Sequence, residues 1–138
     1  MSMPGPVVAR VRIAAAPEVV FPYFTDPELV TTWLAQRADL DPRPGGNFAI
    51  DVDGGQARGS YVEIDPARRV VFTWGIPGDP DLPDGSSTVE VVLAAEDDDT
   101  VVTLTHRDLP AGKRPSHQEG WERHLGGLVS TAGTAAAS

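Results

Sequence analysis

Any chemistry on this chain has to come from a small set of side chains, and its three histidines head that set. His117 and His124 flank Trp121 at spacings of four and three within residues 114–129, so on a helix all three lie on or beside one face. Imidazole serves as general base, hydrogen-bond partner or metal ligand near neutral pH. A shared metal is the poorest fit. Seven helical residues separate the two rings by roughly 10 Å of rise, neither ring has a zinc-type partner spacing, and the chain has no cysteine. His117, near the helix start, is expected to bond to the preceding loop or to pair with Glu119, Asp108 or another acid. His124 either turns into an interior cavity, where it would orient a polar group of a ligand, or is a satisfied structural or surface histidine. His106 lies in the stretch LTHRDLP. If Val102 and Leu104 face the helix, so does His106, close to the mouth of such a cavity. A general base there would need a serine or carboxylate partner, and the sequence places none beside it.

The carboxylates offer less. Asp26 and Glu28 look like a pair, but capping accounts for the first and the positive end of a helix for the second. Glu63 shares a strand face with Tyr61 by alternation, opposite Val62 and Ile64. On an inner face it would be a buried acid with a raised pKa, and on an outer face it would do nothing. Gly45–Gly46 and Gly54–Gly55 lack the lysine or downstream helix that a phosphate-cradling loop requires.

These side chains must be positioned by elements that the hydrophobic pattern outlines. Trp121, Leu125, Leu128 and Val129 make an apolar stripe at helical spacing over 114–129, with Pro115 suited to its first turn. Nearly everything from 45 to 107 alternates at period two between turn residues. Strands are expected at 7–13, 47–52, 56–64, 69–76, 87–95 and 100–107. Asp53–Gly54 is the strongest hairpin signal. Between the first two strands, Pro17 and Pro27 each suit a first helical position, Pro22 shortens the first helix, and Thr25 or Asp26 caps the second. Residues 39–46 read as a loop, and the proline- and aspartate-rich 78–85 as the most mobile one. The order is one strand, two short helices, five strands and a long helix, an α+β domain with one sheet face covered by helix. Ala49, Gly59 and Gly75 are small where a filled core would prefer bulk, which suits a cavity, although glycine equally marks a bulge or bend.

At 138 residues the chain is one domain by size. Eleven basic against twenty acidic residues give a formal charge of −9, which repels phosphate backbones and anionic lipid. The acidity concentrates at 79–84 and 96–99, read as solubilising loop surface. There is no apolar run long enough to span a bilayer and no secretory signal at the N-terminus, so the expectation is a cytoplasmic protein.

Four stretches together carry a family likeness: IAAAPEVVFPYFTDPELVTTWL; the Pro44–Gly45–Gly46 turn opening a strand; the Gly59, Val70, Phe72 and Trp74 pattern; and LTHRDLP followed by HQEGWERHLGGL. On these the chain resembles the START-like (SRPBCC, helix-grip) superfamily, and within it the bacterial relatives of the C-terminal domain of the activator of Hsp90 ATPase (AHSA1-like proteins). The resemblance runs from Val8 to about Val129 and contains no catalytic motif. It implies an α+β helix-grip fold, a curved six-stranded antiparallel sheet wrapped around a long C-terminal helix, with two short helices after the first strand. The domain would occupy 7–130, with disordered tails at 1–6 and 131–138. It further implies a deep cavity between sheet and helix, used across the superfamily for lipids, polyketides, hormones and other hydrophobic molecules. The large separate N-terminal domain of the Hsp90 activator has no counterpart here, so a chaperone-activating role is not expected.

The candidate cavity residues are Trp33, Phe48, Tyr61, Phe72, Trp74, His106, His117, Trp121, His124 and Leu125. The expected function is binding or sequestration of a small hydrophobic or amphipathic molecule, oriented by Tyr61, His106 or His124, with the 78–85 loop or the first helical pair as gates. No catalytic residue, metal or cofactor is assigned. Nucleic acid and membrane insertion are not expected, and a homodimer is compatible with the reading. Two alternatives stay open: a hydrolase, cyclase or dehydratase working in the same cavity, and a protein-interaction or co-chaperone-like module with a filled core and an exposed apolar patch.

Overall fold

The computed structural model describes residues 5–137; residues 1–4 of the expected N-terminal tail, and Ser138, lie outside the described residues. The chain opens with β1 (Val7–Ile13), followed by α1 (Pro17–Val20), a 3-10 turn (Phe21–Phe24) and α2 (Pro27–Val30). A proline stands in the first turn of each of these three pieces. Proline has no amide to offer a preceding turn, so each one restarts the helix, and 17–30 is a chain of short turns instead of one rod. Asp26 caps α2, its Oδ1 accepting from the Glu28 amide at 2.9 Å.

Six more strands follow: β2 (Arg37–Leu40), β3 (Asn47–Val52), β4 (Gly55–Asp65), β5 (Arg69–Trp74), β6 (Ser87–Glu96) and β7 (Asp99–Arg107). They form an antiparallel sheet in the order β1-β7-β6-β5-β4-β3-β2, so β2 to β7 is a meander and β1 closes onto its last member. The sheet therefore has seven strands, one more than expected. Asp39 and Leu40, the second half of β2, read from sequence as the start of a loop because Asp41, Pro42, Pro44 and two glycines follow them. The segment is a strand because β3 offers an edge, pairing Arg37 with Asp51 through Leu40 with Phe48.

The expected Asp53–Gly54 hairpin is present: both residues have positive φ, 53° and 78°, as a two-residue turn between right-twisted strands requires. On β4 simple alternation fails. Tyr61 pairs with Phe72 and Glu63 with Val71, leaving Val62 as an extra bulged residue. Tyr61 and Ile64 consequently both turn inward, whereas alternation had set them on opposite faces; Val62 is exposed. Glu63 goes to the outer face, 3.1 Å from Arg69.

A 3-10 turn (Ala111–Lys113) leads into α3 (Arg114–Ala137). This helix runs well past Val129, with Ala132 fully buried, so residues 131–137 are not the disordered tail that their sequence suggests. Small residues let this end lie close to the start of the domain: a Cβ on Gly133 would stand 3.8 Å from that of Ala14. Ala132 anchors this end to the core, and the alanines after it are good helix formers. The helix is held to the sheet at two distant places, β1 and the β3–β4 turn. Gln118 Nε2 donates to the Val8 carbonyl of β1 at 2.8 Å, and Arg123 and His124 reach Asp53 at the β3–β4 turn. One core joins Trp121, Leu125 and Leu128 of α3 to Phe48, Tyr61, Phe72 and the inner valines of the sheet. Among the described residues, no helix is long and apolar enough to cross a membrane.

Candidate functional site

Where α3 leaves the sheet, a cleft of about 280 Å³ remains between them. Its apolar walls are Leu34, Val52, Trp74, Ile76 and Trp121, with Asp53, Gln56, Ser116, His117 and His124 as the polar groups. Gly120 forms part of the α3 side; a Cβ placed there would meet nothing within 4 Å. Glycine inside a helix costs about 1 kcal/mol relative to alanine, and here no close packing offsets that cost.

Of the residues singled out from the sequence, Trp74, His117, Trp121 and His124 line this cleft. Trp33, Phe48, Tyr61, Phe72 and Leu125 do not; they fill the core beside it. His106 does not either; it is buried next to a separate cleft walled by Arg107, Leu109 and Arg114. Phe48 stacks on Phe72 with ring centres 4.1 Å apart and meets Tyr61 edge-on at 5.6 Å. The Tyr61 hydroxyl, expected to orient a ligand, instead donates to the Phe24 carbonyl at 2.9 Å, and burial pushes its pKa up. The Trp33 indole donates to the Tyr23 carbonyl at 2.8 Å. These two bonds satisfy carbonyls that the short 3-10 turn leaves free, and they pin the helical pair that was expected to gate the site. The 78–85 loop is also tied down, by Leu82 in the core, a 2.7 Å bond from the Ile76 amide to the Leu82 carbonyl, and a 2.7 Å ion pair between Asp79 and Lys113.

The glycines taken as cavity-making have another cause. A Cβ on Gly59 would lie 2.0 Å from the Thr73 carbonyl oxygen, and one on Gly75 would lie 1.9 Å from that of Pro83. Backbones pass too closely there for any side chain. Ala49 lies between inward Phe48 and Ile50 and so faces outward.

The three histidines have separate roles, and their partners assign their protons. His106 is fully buried. Its Nδ1 accepts from the Trp121 indole at 3.0 Å, which leaves Nε2 protonated; Nε2–H donates to Ser87 Oγ at 2.8 Å, and Ser87 donates onward to the Trp74 carbonyl at 2.6 Å. Burial, with a smaller contribution from His117, lowers its pKa from 6.5 to about 3. Sequence reasoning placed no serine beside His106; the pairing of β6 with β7 does. Yet the pair runs the wrong way for nucleophilic attack, because the imidazole donates to the hydroxyl and has no lone pair left to take its proton. His106 is a structural histidine.

His117 donates from Nδ1 to the Lys113 carbonyl at 2.8 Å, the expected bond to the preceding segment. Burial lowers its pKa, against the opposing effect of that bond. His124 stands at the rim, its Nδ1 3.2 Å from the Trp33 carbonyl and its Nε2 3.1 Å from Asp53 Oδ2. Both partners are acceptors, so both contacts are hydrogen bonds only when the ring carries two protons. Partial burial pushes the Asp53 carboxyl up, but His124 and Arg123 outweigh it and hold it below the usual carboxylate range. Among the described residues, no three His, Asp or Glu side chains gather so as to hold a metal ion.

Asp53, Gln56 and Gly120 escaped the sequence reading. Asp53 was spent on the turn, and Gln56 marked only a strand start. A signal for Gly120 did exist: a glycine in mid-helix, between His117 and Trp121 on the face that matters.

A seven-stranded antiparallel sheet curled about a C-terminal helix, with a cleft between the two, defines a helix-grip domain. The sequence profile described as Activator of Hsp90 ATPase homolog 1-like protein matches residues 14–133, and the chain belongs to that family, within the SRPBCC superfamily. The human activator of 90 kDa heat shock protein ATPase homolog 1 is 26% identical over 129 residues, covering 92% of this chain but 37% of that protein. The chain thus spans little more than a third of the length of the curated relatives it matches. Among solved structures, an AHSA1-like protein of Rhizobium etli is 37% identical with a TM-score of 0.71, over 96% of this chain and 86% of that one. CalU16 of Micromonospora echinospora is 29% identical with a TM-score of 0.72, over 94% and 84%.

Proposed function

We propose that the domain binds a small, mainly apolar molecule in the cleft between sheet and α3. The observation that carries this reading is the space kept open at Gly120, between Trp74 and Trp121, in a domain whose other aromatic side chains are packed solid. Apolar burial at roughly 25 cal/mol per Å² would supply the affinity, and the few polar groups on the walls the orientation.

The alternatives find less support. The Ser87–His106 pair is sealed and oriented against attack, which removes the most enzyme-like arrangement near the cleft. An interaction module would present a contiguous apolar patch. Among the described residues, the exposed large hydrophobic side chains are Val8, Val19, Val62 and Val92, each on a different element. The ATPase-activating role of the curated relatives belongs to proteins much longer than this chain.

Native mass spectrometry of freshly purified protein, with solvent extraction of anything bound, tests the proposal. A stoichiometric small molecule that Gly120→Leu excludes is the expected result. Empty protein that also ignores a panel of hydrophobic probes would sink it.

A further inference from the structure

Resting on the cleft reading above, we infer that the ligand is uncharged and presents a hydrogen-bond donor, such as a hydroxyl, to Nε2 of His117. The cleft takes neutral alcohols or phenols in preference to carboxylates or other anions.

The tautomer of His117 comes first. Nδ1 is committed to the Lys113 carbonyl, which can only accept, so the neutral ring carries its proton there and Nε2 keeps its lone pair. Nε2 has no partner among the described residues and is not among the sealed polar atoms, and the side chain lines the cleft. An acceptor therefore waits on the cleft wall, beside Trp74 and Trp121. Burial holds the ring neutral below the usual histidine range, so the acceptor persists at neutral pH.

The neighbouring ring supplies the second observation. Trp74 lines the cleft with its ring centre 6.1 Å from that of His117, edge to face. Its indole N–H is sealed away, so Trp74 offers a ligand apolar surface and leaves the hydrogen bond to His117. A hydroxyl can donate to His117 Nε2; an ether or a hydrocarbon cannot.

Charge supplies the third. No lysine or arginine side chain lines the cleft. The nearest ammonium to His117, that of Lys113, is held by Asp79 at 2.7 Å. Asp53 at the rim is already matched by Arg123 and His124. An anion buried beside His117 would find no lysine or arginine on the walls, the rim cations Arg123 and His124 being engaged by Asp53, and desolvation would oppose it. A cation would find no free carboxylate.

The test is calorimetric titration at pH 7 with three probes of nearly one shape: 1-naphthol, 1-methoxynaphthalene and 1-naphthoate. Wild-type protein is expected to bind the naphthol several-fold to about tenfold more tightly than the methyl ether, the scale of one net hydrogen bond, and the naphthoate more weakly than either. His117→Phe should bind the first two equally, and Gly120→Leu should bind none. Nitrogen NMR of histidine-labelled wild-type protein gives a readout independent of how His117→Phe folds: the His117 Nε2 resonance should shift with naphthol and not with the ether. Equal binding of naphthol and ether, tighter binding of naphthoate, or a naphthol preference that survives in a folded His117→Phe would each overturn the inference while leaving the cleft a binding site. Failure of all three probes to bind would overturn the cleft reading with it.

Discussion

His106 ties a strand, a helix and a serine together through one neutral imidazole, and that neutrality has a measurable consequence. Its folded pKa of about 3 lies below the ordinary 6.5, so between those values the unfolded chain takes up a proton that the folded one refuses. Stability is therefore full above about pH 6.5 and falls as pH drops toward 3, with a slope from this group of up to about 1.4 kcal/mol per pH unit. Urea unfolding across that range should give this slope, and His106→Gln, which cannot titrate, should flatten it. Two glycines make an opposite pair at the same scale. Gly59→Ala drives a methyl group into the Thr73 carbonyl and should cost on the order of 3 kcal/mol or prevent folding. Gly120→Ala meets nothing and should stabilise by up to about 1 kcal/mol. If chemical denaturation ranked the two the other way, the contacts described for both positions would be wrong.

At the scale of elements, the β3–β4 hairpin and α3 hold each other through Asp53. Arg123 contacts its carboxylate at 3.2 Å and His124 at 3.1 Å, across the rim of the cleft. Asp53 and Arg123 are about half exposed, so solvent screens their attraction, while His124 is mostly buried. Asparagine tolerates the positive φ of the turn, so Asp53→Asn removes charge without disturbing the hairpin. The expected loss is a few tenths to about 1 kcal/mol at low salt, fading at high salt. Hydrogen exchange should quicken at the hairpin amides and stay unchanged on β6 and β7. Equal acceleration across all strands would mean that Asp53 supports the whole fold and not this latch.

For the whole molecule, the sheet's curl decides how much space the helix leaves. Strand β1 and the β3–β4 turn reach α3 through Gln118 and Asp53, and the aromatic cluster fills one end of the interior while Gly120 keeps the other open. Occupying that space should stabilise the fold by mass action, about 2.7 kcal/mol at a ligand concentration one hundred times Kd. Returning the organic extract to stripped protein should then raise its Tm, and should not raise that of Gly120→Leu. A rise of equal size in both would locate the bound molecule elsewhere.

Much of this architecture was legible in the residues. Alternation marked the strands, prolines broke 17–30 into short turns, Asp53–Gly54 announced a hairpin, and the Trp121, Leu125, Leu128 stripe marked the helix; four quoted stretches then pointed to the family. These signals are local, because period, turn chemistry and capping act over a few residues. What tertiary structure decided is everything that needed a distant partner. Strand β2 exists because β3 lends it an edge, Val62 bulges to turn Tyr61 and Ile64 the same way, and the burial of Ala132 anchors the helix beyond Val129. The same holds at the site. His106 reads as a candidate base until Ser87 and Trp121 take both its nitrogens, and His117 becomes an acceptor only because Lys113 fixes its proton. The sequence determines which groups are present; hydrogen-bond partners, set by packing between residues far apart in the chain, determine which of them remain free to act.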